Sequence, residues 1–313
     1  MKDNLWSIYM GVRGLIVSSE QPIRIGKFSF CNISKHKEYI AKENRTPKSN
    51  TMARISREIG YFYDLSSFET VVGVKVYAND LETARARATE KMKLLEATLR
   101  IYSLHEFDMI SILEEVSIFN RHDEGSYQWL AISPEKNISY HYNVSGKCII
   151  CDIENISKDA ADVMELISKC EYSQVERHAI ITIIMLGRAY YDLMDAYECG
   201  YTISFVDAIM AIESLTSFGG HASTAQIVSN CVSMIAKTQS QAKIIHDEIK
   251  NLYRIRSEVV HGKRANVESC DVCSAIEYAK TILEKYIIII TANNISTDKE
   301  LQNYLNERTE SLI

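Results

Sequence analysis

Proline and glycine are scarce in this chain, at three and twelve among 313 residues. That scarcity excludes collagen-like, proline-rich and glycine/serine-linker classes, whose composition keeps a backbone extended or flexible. No apolar run approaches the roughly 20 residues that a bilayer-spanning helix requires. The longest candidate, Tyr286 to Ile290, is a fraction of that length. The opening MKDNLWSIYMGVRG lacks a continuous apolar core followed by a small-residue cleavage site, so no secretory signal is expected. Neither sign of charge dominates: 35 Lys and Arg against 41 Asp and Glu leave a net charge of −6 and a pI near 5.8. That balance argues against wholesale coating of nucleic acid and leaves room for a local basic patch. With 46% hydrophobic and 24% charged residues the chain has the composition of a soluble globular protein, long enough for two domains. Its eight cysteines are scattered and, without an export signal, are expected to stay reduced in a cytoplasmic protein.

The two halves of the chain carry different periodicities. In residues 1–156, Phe68, Val72, Val74 and Val76 alternate with Glu69 and Lys75, as on a half-buried strand. Asn79 or Asp80 then caps a helix over about 81–102, and a short helix follows at Phe107 to Val116. Tyr127 to Ser133 and Tyr140 to Ile153 read as strands joined by a turn through Pro134 to Asn137. This is an α+β domain. From Ser157, read as the cap of a helix to Ser168, the pattern over residues 157–313 is all-α. Ile180, Ile184, Gly187, Tyr191 and Met194 make one helical stripe, and Phe205, Ile209, Ile212 and Leu215 another. Further helices are expected over about 225–235, 242–260, 273–290 and 298–306, with stops at Gly219-Gly220 and Gly262. Short connections of this kind give an antiparallel bundle.

One segment concentrates chemistry: Leu252-Tyr253-Arg254-Ile255-Arg256-Ser257-Glu258-Val259-Val260-His261-Gly262. Arg256 interrupts the apolar stripe Ile245, Ile249, Leu252, Val259. A buried guanidinium costs several kcal/mol unless paired, so an acid must meet it or the stripe must end at a cleft or interface. Glu213, inside Ile209-Met210-Ala211-Ile212-Glu213-Ser214-Leu215, is the mirror case, and the two are expected to lie together. His261 stands at the helix end, where an imidazolium is favoured by the helix dipole. Ser257 precedes it by four positions and shares its face. Arg256 precedes it by five, about 140° around the axis, so a common site needs either an unwound helix end or a second copy of the motif.

An arginine, a polar residue and a histidine in this arrangement resemble the Arg-X4-6-His motif of HEPN domains. "LYRIRSEVVHG" and the upstream "DAIMAIESL" look like the ApeA-like branch of that family, over roughly residues 176–292. The resemblance implies an all-α HEPN-like bundle that forms a homodimer and cleaves RNA without a metal or cofactor. Carried over by position, it makes Arg256 and His261 the catalytic pair and Ser257 a supporting residue. The chemistry is coherent: an imidazole relays protons near neutral pH while the ribose 2′-hydroxyl attacks the adjacent phosphorus, and a guanidinium offsets the phosphate charge. The branch is associated with anti-phage defence, in which a toxin-like nuclease is held quiet. By that analogy residues 1–156 would sense a trigger or bind a regulatory partner. The alternative is a non-catalytic HEPN module that only dimerises and docks a partner.

Other candidates have bland readings beside the sharp ones. Glu213 is first a structural partner of Arg256 and only second a base. Lys263 and Arg264 either touch RNA phosphate or are solvated loop charges. Cys148/Cys151 and Cys270/Cys273 have metal-pair spacing, yet fall in different domains and carry no knuckle glycine, so buried free thiols are the expectation. Lys35, Lys37, Lys42, Arg45, Lys48, Arg54 and Arg57 form a basic stretch, either a solvated loop or a substrate-guiding arm.

Overall fold

A computed structural model of the chain describes residues 4–12, 15–43, 70–103, 129–133, 138–141, 151–194, 200–218, 222–264 and 266–312. The expected helix at Phe107 to Val116, the turn at Pro134 to Asn137, Cys148, Gly219-Gly220 and the basic residues Arg45, Lys48, Arg54 and Arg57 lie outside these. The chain forms two compact units, residues 1–169 and 170–313.

The first unit is built on a six-stranded antiparallel sheet in the order β3-β4-β5-β1-β6-β7. Its strands are β1 (Asn4–Val12), β3 (Ile23–Ile25), β4 (Phe28–Asn32), β5 (Thr70–Ala78), β6 (Trp129–Ile132) and β7 (Ile138–His141). A separate parallel pair joins β2 (Leu15–Ile16) to β8 (Cys151–Asp152). β1 lies centrally, with Ile8 opposite Val74 on one side and Ala131 on the other. Six consecutive residues to Val12 are buried, so this strand is covered on both faces and shows no alternation. Gly26 has a φ of 56° in the two-residue turn from β3 to β4, where a Cβ would also strike Ser168. Among the described residues, helices α1 (Ile33–Glu43), α2 (Leu81–Ser103) and α3 (Ile153–Ser168) accompany the sheet. Asp80 caps α2 through the Thr83 amide at 2.7 Å. Ala88, Met92 and Leu95 of α2 join Met10, Phe30 and Val72 in the core.

Two expectations change here. The cap of α3 is Asp152, which accepts the Glu154 amide, so the helix begins at Ile153 and Ser157 lies within it. Helix α3 also packs on α2, β3 and β4, which moves the boundary from 156/157 to 169/170. Its buried face of Ile156, Ala160, Val163, Met164 and Ile167 is what binds it to the sheet unit.

The second unit consists of helices among its described residues: α4 (Gln174–Met194), α5 (Gly200–Thr216), α6 (Thr224–Ile235), α7 (Gln239–Val260), α8 (Ser269–Ala292) and α9 (Asp298–Leu312). α4, α5 and α8 pack mutually, and α6 joins them to α7 and α9. Phe205, Ile209, Ile212 and Leu215 of α5 are fully buried, matching the stripe seen in the sequence. α4 is rotated from its expected orientation. It buries Val175, Ala179, Ile183, Leu186, Tyr190 and Leu193, whereas Ile181 and Ile184 are exposed. This helix is apolar over much of its circumference, so periodicity alone does not choose the inward side. The Tyr286 hydroxyl donates to the Val175 carbonyl at 2.9 Å and ties α8 to α4.

Candidate active site

The motif lies on α7. Thr238 caps its start by accepting the Gln241 amide. Ile249, Leu252, Tyr253 and Ile255 form the buried face, with Ile245 and Val259 half-buried at its ends. Arg256 stands at the margin of this face. Its Nη2 is 3.5 Å from Oε1 of Glu213 on α5, so the two charges that interrupt apolar stripes do meet. The two side chains retain 35% and 27% exposure, which leaves the guanidinium within reach of an incoming anion.

Backbone geometry ends the helix. Gly262 has a φ of 68°, its amide donates to the Val259 carbonyl at 3.0 Å, and the Lys263 amide donates to Glu258 at 2.8 Å. These two bonds make a Schellman turn, which needs a left-handed residue after the C-cap. A Cβ at Gly262 would meet nothing within 4 Å, so the backbone dihedral, not crowding, is what requires glycine. The turn fixes His261 as the C-cap, with φ −90° and ψ 9°. Its side chain is exposed and has no hydrogen-bond or ion-pair partner among the described residues. Within one chain, then, Arg256 turns to Glu213 while His261 faces solvent from the end of the same helix.

The remaining candidates separate. Arg264 bonds the Asn266 carbonyl and Asp271, at 2.9 and 3.2 Å, with Glu268 at 3.8 Å. It fastens the loop to the first turn of α8 and has acids around it already. Lys263 instead shares a groove of about 430 Å³ with Ser257, Thr224, Lys250, Tyr253, Arg254 and Glu258. Arg254 and Glu258 neutralise each other there at 2.5 Å. Cys270 and Cys273 sit in the first turns of α8, exposed and half-buried, both as free thiols.

Sequence reasoning passed over Tyr253 and Lys250. Tyr253 is only 6% exposed, and its hydroxyl has no hydrogen-bond partner among the described residues. Burial pushes that phenol far above its ordinary value, the Glu213 carboxylate adds to the shift, and Arg256 opposes it. Lys250, Arg254, Ser257 and Glu258 recur at helical spacing on the polar side of α7, a pattern visible in the sequence once the apolar stripe has been set aside.

The chain matches no family model, no curated protein and no solved structure. Among the described residues no helix is long and apolar enough to cross a membrane.

Proposed function

We propose that this chain is an endoribonuclease of the HEPN type that needs no metal and uses Arg256 and His261 from each of two copies. In this reading His261 moves the proton of the attacking 2′-hydroxyl or of the leaving 5′-oxygen. Arg256 binds the scissile phosphate, and Glu213 holds its guanidinium in place until RNA arrives. The observation that supports the reading best is the exposed imidazole, without a partner among the described residues, carried by the C-cap residue that a Schellman turn sets at the end of the helix that carries Arg256. A purely structural histidine at a C-cap would gain from pairing, and this one has no partner among the described residues.

The second copy has a surface to use. Ile181 and Ile184 are exposed on α4, and Ile203 and Met210 on α5. The Arg188–Asp207 pair, at 3.4 Å, links α4 to α5 at positions that fall within these two stripes. An isologous dimer would cover such a patch twice and supply a second motif, one of the two ways to bridge the 140° offset in one helix. Defence against phage, with the first unit as the restraint or trigger, follows from the resemblance alone.

The half-occupied state of Arg256 favours a second reading, in which the Arg256–Glu213 pair is only structural and the chain is a dimerising, partner-binding module. Incubation of purified protein with RNA in EDTA separates the two. Cleavage that is lost in His261→Ala, with folding and oligomeric state retained, supports the nuclease; cleavage unchanged in that variant rejects it.

A further inference from the structure

The groove beside the motif helix has a composition that no part of the fold explains. It is lined by three cations and one carboxylate, and the carboxylate of Glu258 is taken by Arg254. Lys250 and Lys263 are therefore left uncompensated: both are exposed and neither has an acidic partner among the described residues. Thr224 brings the start of α6 to the same groove. Ser223 caps that helix through the Gln226 amide, and the amides of Thr224 and Ala225 have no partner among the described residues at a terminus whose dipole favours anions. The wall also includes Tyr253 and the exposed hydroxyl side chain of Ser257. Two lysines without acidic partners among the described residues and an exposed serine on one concavity, beside a helix N-terminus, form a site for phosphate oxygens. Lys263 lies two residues beyond His261 on the turn that ends α7. Lys250 lies seven residues before Ser257, about 10 Å along the axis, so the groove can follow more than one backbone phosphate.

We infer that this groove is a backbone-phosphate subsite that guides a single RNA strand along α7 to His261, with Lys250 and Lys263 as its charged contacts and Ser257 as a hydroxyl donor. The inference rests on the nuclease reading for the direction of the strand, but not for the binding itself. It also reassigns two residues: Ser257 contacts substrate away from the scissile bond, and Arg264 is a loop clamp, not an RNA contact.

The test uses the full chain and a labelled single-stranded 2′-O-methyl oligoribonucleotide, which lacks the attacking hydroxyl. Fluorescence anisotropy gives Kd across a series of salt concentrations. Wild type should bind with a salt-dependent Kd. The double variant Lys250→Gln/Lys263→Gln should weaken binding about tenfold or more and flatten the slope of log Kd against log salt by about 1.4, since each single-strand phosphate contact contributes about 0.7. Lys237→Gln, an exposed lysine outside the groove, should leave the slope alone. Absence of binding by wild type, or an unchanged slope in the double variant, overturns the subsite. Failure of the nuclease reading looks different: the groove then binds in the predicted way while an unmodified RNA of the same sequence stays intact.

Discussion

Removing a hydroxyl should make this protein more stable, and the variant is Tyr253→Phe. Tyrosine to phenylalanine at a buried site ordinarily costs stability, because the phenol has found a partner. Here the residue is 6% exposed and the hydroxyl has no partner among the described residues, while the ring is buried along with Ile249, Leu252 and Ile255 of α7. A buried hydroxyl without a hydrogen bond carries a penalty of about 1–3 kcal/mol, and deletion of the oxygen leaves the packing of the ring intact. The position on a groove wall argues for the low end, so a gain of about 1 kcal/mol is expected. For a domain the size of residues 170–313 that corresponds to a rise in melting temperature of about 3 °C. The sequence supplies a built-in control. Both tryptophans, Trp6 and Trp129, lie on β1 and β6 of the first unit. Urea unfolding followed by far-UV circular dichroism weights the helical second unit, and tryptophan fluorescence reports only the sheet. The dichroism midpoint should move up. A lowered midpoint, equivalent to a loss of about 1 kcal/mol in unfolding free energy, would refute the reasoning, since it would mean that the hydroxyl is satisfied in the folded protein.

Two further outcomes follow from charges in the second unit. Because Arg256 and Glu213 are 3.5 Å apart and each about one-third exposed, a double-mutant cycle with Arg256→Gln and Glu213→Gln should give a coupling of about 1–2 kcal/mol, between the values for surface and buried pairs; a coupling near zero would show that they do not act together. Burial raises the Asp207 carboxyl above its ordinary value of 3.8, with Arg188 opposing the shift. The folded state therefore keeps that proton in the pH window just above 3.8, where the unfolded chain releases it, and stability contributed by this site falls as pH rises through the window. Asp207→Asn should flatten that part of the urea-midpoint profile, and an identical profile would contradict the assignment.

What could be read from the chain depended on how many faces each element hides. α5 was legible because Phe205, Ile209, Ile212 and Leu215 form a single buried stripe. α4 was not, because its exposed Ile181 and Ile184 look as apolar as its buried Ile183 and Leu186. β1 lacked the period-two signal because its position between β5 and β6 buries six residues in succession. The start of α3 was misplaced because Ser157 and Asp152 are both good caps, and only the pairing of β8 with β2 shows that the chain turns at Asp152. At the candidate site, the meeting of Arg256 with Glu213 followed from two charges that each broke an apolar run. The groove did not follow, since it needs the first turn of α6 beside the polar side of α7, and no local pattern brings Thr224 to Lys250.

The most direct test is to map the ends left on RNA by wild type and by His261→Ala, both in EDTA. Ribose attack assisted by His261 and Arg256 predicts 2′,3′-cyclic phosphate ends from the wild-type protein and none from the variant. Intact RNA with the wild type, or the same ends from both proteins, would contradict it.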